Sequence, residues 1–389
     1  MAASVDMRAD ERIRVDGSLT HRVLLVAPTP PPYGGMALQA RQLENRLTRD
    51  GNAVVFFPSN FALAGVLGRF ERIPGIRTVL RAVIIWIRLW RQLQHVEVMH
   101  VLAASWLYFF LVVCPAVIVG RLRGRRVVLN YRGGGAESFF RSFPLILRPV
   151  FRLAHVVTAP SEFIAGVIRR YMNVTVVIVP NILDTRRFQY RQRISFRPRL
   201  LVTRHLEEIY DIESVLRAFR LVQAQHPEAT LWIAGTGSQA GRLRDMVSEW
   251  GLRGVRFLGH VAHEELPAIC DQCDIMINAS LVDNFPGALI EASASGMVVV
   301  STGAGGIPYI YEDEVTALLV QPGDWKALGE AVERVLMDQT LAKDLTRQAA
   351  ILALGCDWTQ VRQPLYTAYG WPEMTSKVRS EAGAIGEAK

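Results

Sequence analysis

The stretch DIMINASLVDNFPGALIEASASGMVVVST, residues 274–302, holds the local pattern that decides the fold. Two short apolar runs, 274–280 and 297–302, flank a segment with helical spacing. Strands separated by one crossover helix pair in parallel, and strands this continuously apolar are covered by helices on both faces. The stretch therefore predicts one strand–helix–strand unit of a doubly wound α/β sheet.

The same alternation runs outward from this stretch through most of the chain, in two sets of six strands separated by a polar, arginine-rich segment near 184–198. The predicted strands are 21–28, 53–58, 96–101, 125–131, 156–160 and 174–181 in the first set, and 199–204, 230–235, 255–260, 274–280, 297–302 and 317–322 in the second. Open α/β sheets bind ligands at the carboxyl ends of their strands. The pattern predicts two Rossmann-like doubly wound lobes that face each other across a ligand-binding cleft.

The domain boundaries follow from this pattern. We expect an N-terminal lobe over 18–190, completed by a helix over 358–372, and a C-terminal lobe over 198–357. Disordered tails are expected over 1–17 and 373–389. The polar, mixed-charge start of the chain predicts no signal peptide. The C-x-x-C pair Cys270 and Cys273 has no partner pair for a zinc site, so we expect reduced cysteines in a cytoplasmic protein.

Charge is divided unevenly between the two predicted lobes. Residues 18–197 hold 25 arginines, no lysine and 7 acidic residues, a net charge of +18, whereas 198–357 hold 12 basic and 22 acidic residues, a net charge of −10. The two surfaces either attract each other, or the first lobe meets an anionic surface or substrate. Both interpretations stay open at this point.

Two apolar segments of the first lobe bear on membrane contact. Residues 77–91 put Arg77, Arg81, Arg88 and Arg91 in one stripe beside a tryptophan-rich apolar face, a pattern typical of an interfacial helix and also compatible with an ordinary lobe helix. Residues 101–120 carry no charge. They begin in a predicted strand and contain a proline, so a buried crossover helix is favoured over a membrane span.

Two loop–helix junctions carry the candidate chemistry. In the first, Asp283 lies in the loop after a predicted strand and Glu291 lies in the following helix. The intervening Asn284, Phe285, Pro286 and Gly287 begin that helix, where free N–H groups favour a diphosphate, and a carboxylate there can accept from a ribose diol. The glycines at 303, 305 and 306 end the next strand and offer a second phosphate cradle. The other junction is Gly34-Gly35, a glycine pair that lets the backbone approach an anion.

These residues resemble the signature of the GT-B glycosyltransferases of family 4, over roughly residues 21–370. The E-x7-E motif is similar to Asp283 through Glu291, which implies that the first acid contacts the donor sugar and the second the ribose. The resemblance further implies that Arg204 faces the diphosphate and that backbone near Val261 binds the base. It predicts a retaining, hexosyltransferase-like enzyme that uses a nucleotide-sugar donor.

The sequence also departs from the family pattern. Many family members have a lysine shortly after the residue that matches Arg204, but here that region is Ile209-Tyr210. The family also has a histidine after the fourth strand of the first lobe, and here the run NYRGGG, residues 130–135, stands in its place. There Arg132 is the candidate contact to donor phosphate or an anionic acceptor. No D-x-D motif stands at a strand end, and arginine with helix N-termini can neutralise the leaving group, so we expect neither metal nor cofactor.

The expected partners are the nucleotide-sugar donor, a lipid-linked or polysaccharide acceptor and an anionic membrane at its cytoplasmic face, without nucleic acid. Two other functions remain open. One is a non-catalytic scaffold that keeps the fold, which the missing lysine and histidine favour. The other is a nucleotide-sugar epimerase, which shares the two-lobe fold.

Overall fold

The computed structural model describes residues 14–15, 18–19, 21–30, 34–61, 69, 74–184 and 187–371. The chain divides into two compact units. Unit 1 comprises Met1–Ala159, Val167–Val177 and Leu365–Lys389, and unit 2 comprises Pro160–Gly166 and Ile178–Pro364. The predicted N-terminal lobe, 18–190, thus includes two segments, 160–166 and 178–190, that fall in unit 2. The predicted tail 373–389 lies outside the described residues, as does the tail 1–17 except for 14–15.

Unit 1 contains a six-stranded parallel sheet in the order β4-β3-β5-β6-β7-β8. Its strands are β3 (Arg22–Ala27), β4 (Ala53–Pro58), β5 (Val98–Ala103), β6 (Arg126–Tyr131), β7 (Val156–Ala159) and β8 (Val176–Ile178). A short hairpin, β1 (Arg14–Val15) with β2 (Ser18–Leu19), precedes them, so part of the segment predicted as a disordered tail is paired.

The helices of unit 1 lie between these strands. They are α1 (Gly35–Arg49), α2 (Pro74–Gln92), α3 (Cys114–Leu122), α4 (Ala136–Ser142), α5 (Pro144–Leu153) and α6 (Glu162–Met172), whose first residues belong to unit 2. The uncharged segment 101–120 continues β5, passes through a π-helical turn at Phe109–Val113 and enters α3. Among the described residues, no helix is long and apolar enough to cross a membrane.

Unit 2 contains a second six-stranded parallel sheet, in the order β11-β10-β9-β12-β13-β14. Its strands are β9 (Arg199–Thr203), β10 (Thr230–Ala234), β11 (Val255–Gly259), β12 (Ile275–Asn278), β13 (Val298–Thr302) and β14 (Leu318–Val320). The helices are α7 (Ile212–Gln225), α8 (Ala240–Glu249), α9 (Leu266–Gln272), α10 (Gly287–Ala294), α11 (Trp325–Met337), α12 (Gln339–Leu354) and the first half of α13 (Trp358–Tyr369), whose residues from Leu365 onward belong to unit 1. The prediction of two Rossmann-like lobes is confirmed.

The strands of unit 2 are apolar on both faces because the sheet separates two hydrophobic cores. Leu200 and Val202 of β9 contribute to one core, and Leu201 between them contributes to the other. Successive side chains of a strand point to opposite faces, so helices must cover both sides. This arrangement leaves the loops at the carboxyl ends of the strands as the place for polar chemistry.

Candidate functional site

The candidate site of unit 2 lies where the strand order reverses. β9 and β12 are neighbours in the sheet, but the chain leaves them toward opposite edges, and this switch point is where doubly wound sheets bind ligands. Arg204 follows β9 directly, and its Nε donates to Oδ1 of Asn278 at the end of β12, at 3.0 Å. The Arg204 Nη2 also lies 2.8 Å from Oδ2 of Asp283. The structure thus brings together two residues that lie 79 positions apart in the chain.

The Asp283 loop is shaped by its own hydrogen bonds and by glycines of the next loop. The Phe285 amide donates to Asp283 Oδ1 at 3.1 Å, and the Gly306 amide donates to the Asp283 carbonyl at 2.7 Å. A Cβ on Gly305 would stand 2.3 Å from the Asp283 carbonyl oxygen. These two glycines therefore permit close contact between loops, a role that the sequence did not predict for them.

The start of α10 follows the predicted position, since Pro286 is the N-cap and Gly287 the first helical residue. The supply of free amide donors is smaller than predicted. The Gly287 amide donates to the Phe285 carbonyl at 3.0 Å, and the amides of residues 289 and 290 both donate to the Pro286 carbonyl. The Asn284 carbonyl accepts from the Ser161 hydroxyl at 3.1 Å, an anchor that sequence reasoning missed.

Glu291, one turn into α10, is held by a histidine that sequence reasoning also missed. His263 Nε2 lies 2.9 Å from Glu291 Oε1, and both side chains are about one-fifth exposed. The hydrogen bond to Glu291 raises the pKa of His263 against the opposing effect of burial. The ring of His263 also meets the edge of Phe188. Val261, the predicted base contact, lies two residues earlier in the same loop, after β11.

A glycine-containing loop after β10 packs against the backbone of Arg204. The Arg204 amide donates to the Ala234 carbonyl at 3.2 Å. A Cβ on Gly235 would stand 1.8 Å from the Arg204 carbonyl oxygen, and one on Gly237 would stand 2.3 Å from the Leu206 carbonyl oxygen. Only glycine allows backbones to approach this closely. The signal for this loop was present in the sequence as G-T-G-S, residues 235–238.

The replaced lysine region lies beside the same arginine. Ile209 is exposed, and the ring of Tyr210 lies 5.5 Å from the Arg204 guanidinium carbon. A cation over an aromatic face is attracted by the ring quadrupole. In this chain, therefore, the segment 205–211 contacts the guanidinium with an aromatic ring and contains no lysine or arginine.

The predicted site residues of unit 1 lie at the carboxyl ends of its strands. Gly34 is the N-cap of α1 and Gly35 its first residue, and a Cβ on either would meet no atom within 4 Å. Arg132 follows β6, and its Nε donates to Asn130 Oδ1 at 3.3 Å. Burial lowers the pKa of Arg132 to about 10. Residues 31–33, which directly precede the glycine pair, lie outside the described residues.

The C-x-x-C cysteines of unit 2 lie in the protein interior. Cys270 and Cys273 are free and buried, and burial raises the pKa of each thiol to about 12. Their carbonyls accept from the buried guanidinium of Arg193, which also pairs with Asp274 at 3.0 Å. Within the part of the chain that the structure describes, no three His, Cys, Asp or Glu residues form a group that could hold a metal ion.

Curated relatives each match about half of the chain or less. A glycogen synthase of Mycobacterium tuberculosis is 31% identical over 193 residues, which is 48% of this chain and 46% of that protein. The phosphatidylinositol N-acetylglucosaminyltransferase gpi3 subunit of Schizosaccharomyces pombe is 28% identical over 144 residues, or 36% of this chain and 32% of that protein. The chain thus spans about half or less of the length of these relatives.

Solved structures match the fold over both units. Sucrose-phosphate synthase from Thermosynechococcus elongatus superposes with a TM-score of 0.71 at 18% identity, covering 94% of this chain and 100% of that one. The Anabaena protein Alr3699/HepE, solved in complex with UDP, gives a TM-score of 0.68 at 16% identity over 90% of this chain and 100% of that one. At these identities the likeness establishes the fold alone.

Two family models match successive parts of the chain. The model described as Glycosyltransferase Family 4 matches residues 33–187, and the one described as Glycosyl transferases group 1 matches residues 188–351. Together they span 319 of the 389 residues, counted from 33 to 351. The fold agrees with these matches, since the chain has two Rossmann-like lobes and a loop–helix junction that carries Asp283 and Glu291. The chain therefore belongs to the group 1 glycosyltransferases of the GT-B fold.

Proposed function

We propose that this protein transfers a sugar from a nucleotide-sugar donor and that unit 2 binds the donor. The observation that carries the proposal is the contact of Arg204 with Asp283 at the switch point, 2.8 Å between Nη2 and Oδ2. It sets a cation and a carboxylate side by side where doubly wound sheets bind nucleotides. A guanidinium has five N–H donors, so Arg204 can keep this partner and still donate to a phosphate.

Each site residue takes one role in this proposal. Arg204 stabilises the departing diphosphate, Asp283 orients the donor sugar and Glu291 accepts from the ribose hydroxyls. A carboxylate has about four lone-pair sites, so the bond from His263 leaves Glu291 acceptor capacity for a diol. We further propose that the sugar keeps its anomeric configuration and that the leaving group is neutralised without a metal ion, because arginine and backbone dipoles supply the positive charge.

The proposed acceptor is lipid-linked and is met at the cytoplasmic face of a membrane. The +18 net charge of residues 18–197 favours an anionic surface, and one relative is by its name a phosphatidylinositol N-acetylglucosaminyltransferase subunit. A polysaccharide acceptor is the second candidate, since another relative is by its name a glycogen synthase.

The test is a panel of uridine, guanosine and adenosine diphosphate sugars, assayed for nucleotide release with and without EDTA. The variant Arg204→Ala lacks the charge-assisted hydrogen bonds proposed to the diphosphate, which contribute about 1.5–3 kcal/mol. Its kcat/KM should therefore fall roughly tenfold to a hundredfold. Glu291→Ala should raise the KM for the donor. The control is Arg220→Ala, an exposed arginine of α7.

Four outcomes would change the proposal. Full activity of either variant removes that residue from the site, and loss of activity in EDTA that Mg²⁺ restores removes metal independence. Conversion of the donor to an isomer without acceptor indicates an epimerase. The absence of both turnover and nucleotide binding across the panel indicates a scaffold. The anomeric configuration of the product, determined by NMR, tests retention.

A further inference from the structure

Helix α2 of unit 1 carries large apolar side chains that remain partly exposed to solvent. Ile85 and Leu89 are buried and fix the helix to the unit. Four other large side chains are 39–50% exposed: Val83, Trp86, Ile87 and Trp90. Their spacing of i, i+3, i+4 and i+7 puts them on one side of the helix. We refer to these four residues as the outer stripe.

Arginines border the outer stripe. Helix α2 contains four arginines and no acidic residue. The Arg123 guanidinium carbon lies 4.8 Å from the Trp90 ring centroid, and the Arg88 guanidinium carbon lies 4.6 Å from that of Phe61. Arg91 is exposed at the end of the helix. The surface therefore combines exposed indole rings with positive charge.

We propose that the outer stripe docks this protein onto the surface of an anionic lipid bilayer. Indole rings favour the level of the lipid headgroups, and arginines there meet negative charge. Helix α2 lies in the plane of the interface in this arrangement, with its apolar side chains inserted and its buried residues still in the core of unit 1.

Charge selects the bilayer over a second copy of the chain. A symmetric dimer places the same patch of both copies together, so arginines 88, 91 and 123 of one copy would approach their equivalents. Like charges brought together without acidic partners repel. An anionic membrane supplies the opposite charge and an apolar layer at once. The inference rests on the proposed function only in that it brings unit 1 to a lipid-linked acceptor.

The experiment measures co-sedimentation with vesicles of phosphatidylcholine alone and with added phosphatidylserine, in low and high salt. The wild-type chain should bind the anionic vesicles and dissociate as salt rises. The double variant Trp86→Ala/Trp90→Ala and the single variant Ile87→Glu should each partition roughly tenfold less. The matched control is Ile351→Glu, an exposed isoleucine of α12 in unit 2, which should bind as the wild type does.

A second measurement covers the case in which a stripe variant misfolds. Tryptophan emission of the wild-type chain should be quenched by vesicles of brominated lipid, and the conservative Trp86→Phe/Trp90→Phe chain should lose that quenching while still sedimenting. Wild-type indifference to anionic vesicles, or unchanged binding of both Trp86→Ala/Trp90→Ala and Ile87→Glu, overturns the inference. So does a lipid-free dimer that Ile87→Glu dissociates. None of these readouts uses a sugar donor, so a failed transferase assay leaves them interpretable.

Discussion

At the scale of single residues, the pair of His263 and Glu291 makes the candidate site sensitive to pH. The hydrogen bond to Glu291 raises the pKa of His263 above its ordinary value of 6.5, and Glu264 acts in the same direction, whereas burial and Arg187 oppose it. A raised pKa in the folded state means that folding favours the protonated ring. The stabilisation is complete below pH 6.5 and is lost as pH rises through the raised pKa.

The variant His263→Gln keeps an N–H donor for Glu291 and removes the titrating charge. We expect its deficit in free energy of unfolding, relative to the wild type, to be largest at about pH 5.5 and to shrink by about pH 8.5. Urea titrations at both pH values measure it. A deficit that is equal at the two values would show that protonation of His263 does not contribute to folding.

Asp283 and Glu291 were predicted from their positions after a strand and inside the following helix, and Arg204 was predicted from the resemblance to the family 4 glycosyltransferases. His263 could not be predicted in this way, since 28 positions separate it from Glu291 and only the packing of the loop after β11 against α10 joins them. Ser161 was missed for the same reason, because its partner Asn284 lies 123 positions away.

At the scale of elements, the strands were predicted within about two residues at most ends, because apolar runs bounded by polar loops mark a buried parallel strand. The loops were harder. Gly235 has no side chain from which a contact could be predicted. Its close approach to the Arg204 carbonyl results from the pairing of β9 with β10. The position of Arg204 therefore depends on an element that offers it no side-chain contact.

The variant Gly235→Ala tests this dependence. Its Cβ would stand 1.8 Å from the Arg204 carbonyl oxygen, so the backbone must move and carry Arg204 with it. We expect a loss of roughly 1–3 kcal/mol in the free energy of unfolding, as for overpacking elsewhere, together with weaker nucleotide binding. Gly241→Ala in α8 is the matched control, since its Cβ would meet no atom within 4 Å. Equal effects of the two substitutions on binding would contradict this explanation.

At the scale of the whole molecule, the repeated strand pattern predicted two lobes, but it could not assign segments that leave one unit for the other. Residues 160–166, which follow β7, and residues 178–190, which begin with the last residue of β8, belong to unit 2. Conversely, Leu365 onward belongs to unit 1. The Tyr369 hydroxyl is hydrogen-bonded to His100 Nδ1 at 2.7 Å, and the Trp371 ring stacks on the His21 ring with 4.5 Å between centroids. Such membership is decided by tertiary contacts far apart in the chain.

Truncation at two positions tests whether residues 365–371 stabilise unit 1. A chain that ends after Pro364 lacks Tyr366, Tyr369 and Trp371, so we expect unit 1 to unfold at a lower temperature and to be cleaved first by protease. A chain that ends after Trp371 keeps these contacts and should match the full-length protein. Calorimetry and limited proteolysis measure both. Equal thermal stability of the two truncated chains would contradict the assignment.

Because the C-terminal segment returns to unit 1, this unit can be completed only after unit 2 has been translated. His21, Asn52, His100 and Arg126 leave the ribosome early, yet each contacts a residue between positions 366 and 371. All residues of unit 2 are translated before those partners appear. The lobe that is begun first is therefore finished last, and for most of translation it must persist with its closing segment missing.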